Sequence, residues 1–267
     1  MRSRLFGRLS DFVALAVAAS LVSISVPAFA GDDDDAADIV EKALERNSLE
    51  FDSGKAVMHL VIEDQNGDRS NRSMEVNTKE IDGRLRTLIE LTAPDEIKGQ
   101  SFLFAENEKG QDDVWMFVPA FKVTRRIEGN KKNGAFLGSH FTYNDLESRD
   151  VEQASYDKKD DDKIGEHPVH VIESTPKASV ESEYGKVVVY VRKKDDVPLK
   201  FKFYDDSGDL LKTLFVEKLD ETGSGKKYIK QMQMRSEKGG YTRIEIESID
   251  TDAEFPDAKF SKEQLGK

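Results

Sequence analysis

Residues 55–91 read KAVMHLVIEDQNGDRSNRSMEVNTKEIDGRLRTLIEL. Lys55–Glu63 is an apolar strand-forming run, and Asn66-Gly67 follows it closely. That dipeptide tolerates the positive φ that a two-residue hairpin demands at both central positions. Ser73–Ile81 is then the return strand, and Asp82-Gly83 turns the chain into Leu85–Leu91. There Leu85, Ile89 and Leu91 face one way while Arg86, Leu88 and Glu90 face the other. Strands joined by tight turns predict an antiparallel meander.

The pattern continues along the chain. Ser101–Ala105, Val114–Val118 and Lys122–Ile127 read as strands, as do segments near 151–156, 169–173, 186–192, 199–204, 210–218, 228–235 and 241–249. Asp206-Ser207-Gly208, Gly223-Ser224-Gly225 and Gly239-Gly240 supply turns between the later ones. Helical patterns are scarce. One is amphipathic, with Ala36, Val40, Ala43, Leu44 and Asn47 recurring on a face beside Ile39; shorter ones lie near Tyr143–Glu147 and Ser261–Leu265. The expectation is a mainly β protein of about 11–12 antiparallel strands with a few short helices. Residues 31–267 read as one domain, with 31–36 an acidic, flexible start.

The strands differ in kind. Leu199, Phe201 and Phe203 alternate with Lys200, Lys202 and Tyr204, as on a sheet with one wet face. Val114-Trp115-Met116-Phe117-Val118 and Phe102-Leu103-Phe104 are apolar on both faces. Something must cover their second face: helices, loops or a carried molecule.

Before the domain lie Arg2, Arg4 and Arg8, an apolar run from Phe12 to Val26, and Ala28-Phe29-Ala30. This is the layout of a secretory signal peptide over residues 1–30, cleaved after Ala30. The apolar run is shorter than the ~20 residues a membrane-spanning helix needs. The expected location is the periplasm, with the mature chain soluble.

The 267 residues carry 40 Lys and Arg against 52 Asp and Glu, a formal charge of −12. That balance opposes nucleic-acid binding, which needs a basic face to displace counterions. With no cysteine, disulfide scaffolds, thiolate metal sites and cysteine nucleophiles are excluded. Catalytic patterns are equally sparse. His167 and His170 face opposite sides of a strand, Asp112 and Asp113 point apart, and His59 sits in an apolar strand. The 64–68 segment lacks the downstream Glu of a calcium loop. No nucleophile elbow, zinc-protease motif or phosphate loop occurs, so neither an enzyme nor a cofactor is expected.

The most informative stretch lies between Gly99 and Leu146: GQSFLF, then DDVWMFVPAFKVTRRI, then GAFLGSHFTYNDL. This ordered trio resembles the outer-membrane lipoprotein-sorting protein family, which is similar in fold to the LolA-like periplasmic lipoprotein carriers. Trp115, Pro119, Ala120, Arg125, Arg126 and Ile127 match its middle motif, with Phe117 where Tyr is usual. Phe136, Gly138, Ser139, Phe141, Tyr143, Asp145 and Leu146 match the last, with His140 where Asp is usual.

The resemblance implies an incomplete, half-open β-barrel whose helices cap an apolar cavity for acyl chains. It implies a carrier of lipid or lipoprotein, fed by an inner-membrane transporter of RND/MMPL-like or ABC type and emptied at an outer-membrane acceptor, with only transient membrane contact. The alternative use of the same fold is an envelope-stress sensor that binds such ligands without net transport. Candidate lipid-binding residues are the same-face pairs Met58 and Leu60, Phe102 and Phe104, and Trp115 and Phe117. Phe136, Phe141 and Tyr143 join them, with Met232 and Met234 as adaptable thioethers. Ordinary core packing is the competing explanation for each. Arg125 and Arg126 are expected on opposite sides of a strand, one latching a lid and one meeting a headgroup or partner. Lys131 and Lys132, in GNKKNG, are read as a mobile edge of the cavity mouth or a docking point.

Overall fold

The computed structural model describes residues 35–47, 53–108, 111–147, 151–180, 182–223, 225 and 227–267. The expected export signal over residues 1–30, its expected cleavage point and most of the acidic run after it fall outside these residues. The architecture is mainly β, as expected, and runs to 13 strands in one antiparallel sheet.

The first six strands are β1 (Ser53–Glu63), β2 (Arg69–Ile81), β3 (Arg84–Ala93), β4 (Ser101–Ala105), β5 (Asp113–Val118) and β6 (Val123–Ile127). They form a consecutive meander. The other seven do likewise: β7 (Ala154–Ile164), β8 (His167–Pro176), β9 (Lys186–Arg192), β10 (Val197–Tyr204), β11 (Leu210–Glu221), β12 (Lys227–Ser236) and β13 (Tyr241–Asp250). A single seam joins the two meanders where β1 pairs with β13, placing Met58 opposite Ile246 and Leu60 opposite Ile244. The free edges are therefore β6 and β7, and the sheet is not closed into a barrel.

One sequence expectation falls short at the β7 edge. The reading near residues 151–156 stopped where DKKDDDK begins, whereas the strand continues to Ile164. Those charges occupy an exposed edge whose pairing slips between Lys159 and Asp162. An edge strand has no second neighbour to satisfy, and dense charge discourages another chain from pairing there.

Helix α1 (Ala36–Asn47) buries Ala36, Ile39, Val40 and Ala43. That i, i+3, i+4, i+7 stripe packs against β7, β9, β10 and β12. The helical readings near 143–147 and 261–265 resolve into 3-10 turns at Asn144–Leu146 and Lys262–Gln264.

The doubly apolar strands have two different covers. Phe102, Phe104 and Val114 face the main core. Leu103, Trp115 and Phe117 face outward and join Leu88 under the protein's own C-terminal segment, where Phe255, Phe260 and Leu265 close over them. Gly266, at φ +79°, presses so closely on Phe117 that a Cβ there would lie 2.2 Å from the ring. Only glycine fits both that backbone and that contact.

Candidate functional site

Because β6 and β7 are consecutive in the chain yet opposite in the sheet, the segment between them must cross the open side. Residues 128–147 make most of this crossing as a strap. Its middle is a small reversal: Ala135 bridges Thr142, and the Phe136 amide donates to the Phe141 carbonyl at 2.7 Å. Leu137 takes a left-handed backbone at φ 55°, and the Phe141 amide donates to Ser139 Oγ at 3.1 Å. The reversal turns both Phe136 and Phe141 into the core, where they are 3% and 1% exposed.

Beneath them is an apolar pocket of about 30 Å³. Its floor comes from Met58 and Leu60 on β1, Met74 and Val76 on β2, Thr87 and Ile89 on β3, Phe104 on β4 and Ile244 on β13. Its roof is Phe136, Phe141 and Leu146 from the strap. Phe136 meets Phe102 edge-on at 5.0 Å and Tyr143 at 5.6 Å between ring centres. Thr87 is the sole polar side chain in the lining.

Buried ionic contacts hold the strap. At one end, Lys132 Nζ lies 2.8 Å from Glu147 Oε1 and donates to the Asp112 carbonyl at 2.5 Å. Farther along, Asp145 accepts from Lys212 Nζ on β11 and from the Tyr184 hydroxyl, each at 2.6 Å. Asp145 also caps the strap itself by accepting from the Thr142 amide at 2.7 Å. Thr142 Oγ1 donates to Glu183 at 2.6 Å, and the His140 amide donates to Thr242 Oγ1 at 2.9 Å.

This cluster shifts its titrating groups. Burial, reinforced by the Asp145 charge, raises the Glu183 carboxyl above the usual carboxylate range. The same two influences raise the Tyr184 phenol well above its ordinary value. Burial, with the Lys212 charge adding to it, lowers the His140 imidazole. Among the described residues no group of three His, Asp or Glu side chains could hold a metal ion.

The structure gathers some of the sequence candidates and separates others. Met58, Leu60, Phe104, Phe136 and Phe141 line the pocket, and Phe102 and Tyr143 stack beside its roof. Trp115 and Phe117 lie on the opposite face of the sheet, because β5 alternates and its Val114 side is the inward one. Met232 and Met234 share the inner face but are buried within the main core on β12, against which α1 packs, outside the pocket lining.

Arg125 and Arg126 do point to opposite sides. Arg126, opposite Trp115, is bound to Asp113 and Glu128, while Arg125 is exposed. Lys131 is exposed, but Lys132 is 3% exposed and ion-paired. Lys132 is thus an anchor of the strap and not part of a loose basic edge.

Sequence reasoning missed the pocket's Met74, Val76, Ile89 and Ile244, whose alternation with the flagged pairs carries the signal. It also missed the Glu183–Tyr184–Lys212 set, for which no local pattern exists.

The open sheet, inward aromatic strap and apolar pocket make a LolA-like fold, and the resemblance read around Trp115 and Phe136 holds for the fold. A family model described as that of an uncharacterized protein matches residues 83–267, and the chain belongs to that family. Among solved structures, the chain is similar to a putative outer membrane lipoprotein-sorting protein domain from Vibrio parahaemolyticus. The identity is 27% and the TM-score 0.79, over 87% of this chain and 98% of that one. A DUF1329 family protein from Desulfovibrio piger shares the fold at TM-score 0.80 and 24% identity, over 86% of this chain and 97% of the other. So does a LolA superfamily protein from Nitrosomonas europaea, at 0.69 and 22%, over 87% and 100%. No curated protein matches the chain. No helix among the described residues is long and apolar enough to cross a membrane.

Proposed function

We propose that this protein binds the acyl chains of a lipid or lipoprotein beneath the strap and carries them across the periplasm. On this reading it receives cargo from an inner-membrane transporter and releases it to an outer-membrane acceptor. The supporting observation is the pairing of an apolar floor on the sheet with a roof that lies outside the sheet, fastened by aromatic packing, a few hydrogen bonds and two buried ion pairs. The similarity to a lipoprotein-sorting domain agrees with it.

The energetics need no catalysis. Each buried CH₂ returns about 0.8 kcal/mol, so an acyl chain leaves a membrane only for a comparably apolar enclosure. A pocket of about 30 Å³ is too small to hold an acyl chain as it stands. Cargo enters by displacing Phe136 and Phe141, which then pack against it. Met58, Leu60, Phe102, Phe104 and Tyr143 are the other residues proposed to meet the chain. Met232 and Met234 come into reach only if α1 lifts.

Native mass spectrometry of protein purified from its own envelope, together with displacement of a fluorescent fatty acid, tests the reading. Retained acylated ligand and saturable displacement are expected. An empty protein that takes up no fatty acid sinks it. Binding without transfer between donor and acceptor vesicles returns the sensor reading instead.

A further inference from the structure

The turn joining β5 to β6 has an unusual feature. Phe121 is 72% exposed and Val123 37%, and these are the large hydrophobic side chains that stand exposed among the described residues. Phe121 belongs to none of the hydrophobic clusters, so the fold gains nothing from it. Its position is nevertheless held firmly. Pro119–Phe121 is a 3-10 turn closed by the Lys122 amide donating to the Pro119 carbonyl at 3.1 Å, with Lys122 in a left-handed backbone at φ 51°. Proline fixes its own φ, so little freedom remains in the turn.

Charge changes sign here. Within a chain of net −12, residues 118–126 hold Lys122, Arg125 and Arg126 and no acid. Arg126 is engaged by Asp113 and Glu128 behind the turn. The side chains of Lys122 and Arg125 are exposed and make no hydrogen bond or ion pair among the described residues. The neighbouring loop, where a Cβ added at Gly99 would lie 3.5 Å from the Pro119 ring, adds Lys98 but also Asp95 and Glu96.

We propose that this turn is a membrane-contact tip, in which Phe121 enters the interfacial layer of an anionic lipid surface while Lys122 and Arg125 meet its headgroups. A protein partner suits the observations less well. Stable protein interfaces bury about 800 Å² per side, and one knob with a half-exposed valine offers far less. A bilayer interface accepts a single aromatic flanked by bases. The acidic remainder of the surface is repelled by the same lipids, so contact is confined to this end. The inference deepens the carrier reading, because β5 and β6 border the concave face through Met116.

The test is sedimentation of the full-length mature protein with vesicles of phosphatidylglycerol and phosphatidylethanolamine, against vesicles of phosphatidylcholine. The wild type should bind the anionic vesicles preferentially. Phe121→Ser should weaken that binding about tenfold, as expected for withdrawing one aromatic side chain from lipid. Lys122→Gln and Arg125→Gln should each weaken it about fivefold. All three should melt like the wild type, since each residue is exposed. Unchanged binding in Phe121→Ser overturns the proposal, and so does a wild type that binds neither vesicle. Fatty-acid displacement is read on the same samples. If it fails while Phe121-dependent vesicle binding persists, the carrier reading falls and the tip stands.

Discussion

Lys212 Nζ lies 2.6 Å from Asp145 Oδ2, tying strand β11 to the strap across a gap of 67 residues in sequence. The Asp145 side chain is 2% exposed and that of Lys212 10%, so neither charge has water to fall back on. Lifting this part of the strap away from the sheet separates the pair.

Removing one partner should therefore cost far more than a surface ion pair. Lys212→Met leaves a buried carboxylate that only the Tyr184 hydroxyl and the Thr142 amide still satisfy, and the expected loss is about 3–5 kcal/mol. The double variant Asp145→Asn, Lys212→Met should recover part of it. Urea unfolding of the wild type and the two variants measures both; a Lys212→Met midpoint equal to that of the wild type would remove the contact from the account.

The two adjacent lysines of GNKKNG should behave oppositely. Lys131→Ala, at an exposed site, should stay within about 0.5 kcal/mol of the wild type. Lys132→Ala strands Glu147 and should cost about 3 kcal/mol or more. A combined Lys131, Lys132 substitution mixes a surface effect with an unfolding one, and equilibrium denaturation of the single variants separates them.

Acid should act on the strap through two groups of opposite sign. Glu183 has a raised pKa from burial and the Asp145 charge, so the folded state holds its proton more tightly than the unfolded chain does. The ionised form thus subtracts stability at neutral pH, and the deficit disappears below the unfolded value of about 4.3. Glu183→Gln should be more stable than the wild type at neutral pH and equal to it by about pH 4. His140 has a lowered pKa, chiefly from burial, so the unfolded chain takes up that proton first. Stability should fall as pH drops below about 6.5, and His140→Gln should remove that portion of the slope. Thermal melts across the range resolve the two windows.

The absence of cysteine makes the strap easy to lock. His140 Nδ1 is 2.8 Å from Thr242 Oγ1, which brings the strap against β13. A protein carrying His140→Cys and Thr242→Cys should take up fluorescent fatty acid when reduced and lose uptake when oxidised. Equal uptake in both states would show that cargo does not enter beneath the strap.

Trp115 reports on the outer cluster. Lys262 sits over its ring at 4.9 Å and Arg126 at 5.8 Å, with Phe260 and Leu265 beside it. Phe260→Ala should destabilise by about 3–5 kcal/mol. It should also shift Trp115 emission to longer wavelength, while leaving fatty-acid uptake intact because the pocket is on the other face.

How far the sequence revealed all this depends on what alternation can express. Parity correctly paired Phe102 with Phe104 and Trp115 with Phe117. It could not say which side of each strand is concave, because the cover over Trp115 comes from Phe260 and Leu265, more than a hundred residues away. Similarly, the strand reading ends near Tyr156, short of Asp157–Lys163, because a wet edge strand and a charged loop share a composition. Lys132 reads as part of a flexible basic loop because it sits in GNKKNG, and nothing near it announces that Glu147 waits inside. Local rules found the strands and motifs; the ion pairs that fasten them needed the third dimension.

The central seam between β1 and β13 has a kinetic meaning. Each meander consists of hairpins between sequence neighbours, whose loops close quickly and at little entropic cost. Among the strand pairings of the described residues, the seam alone links residues nearly two hundred positions apart, as Leu60 and Ile244 do. Two half-sheets can therefore mature separately and wait for one slow, long-range zippering event. Substitutions at Leu60 or Ile244 should retard folding out of proportion to the area they bury, whereas those at β4 or β9 should chiefly hasten unfolding.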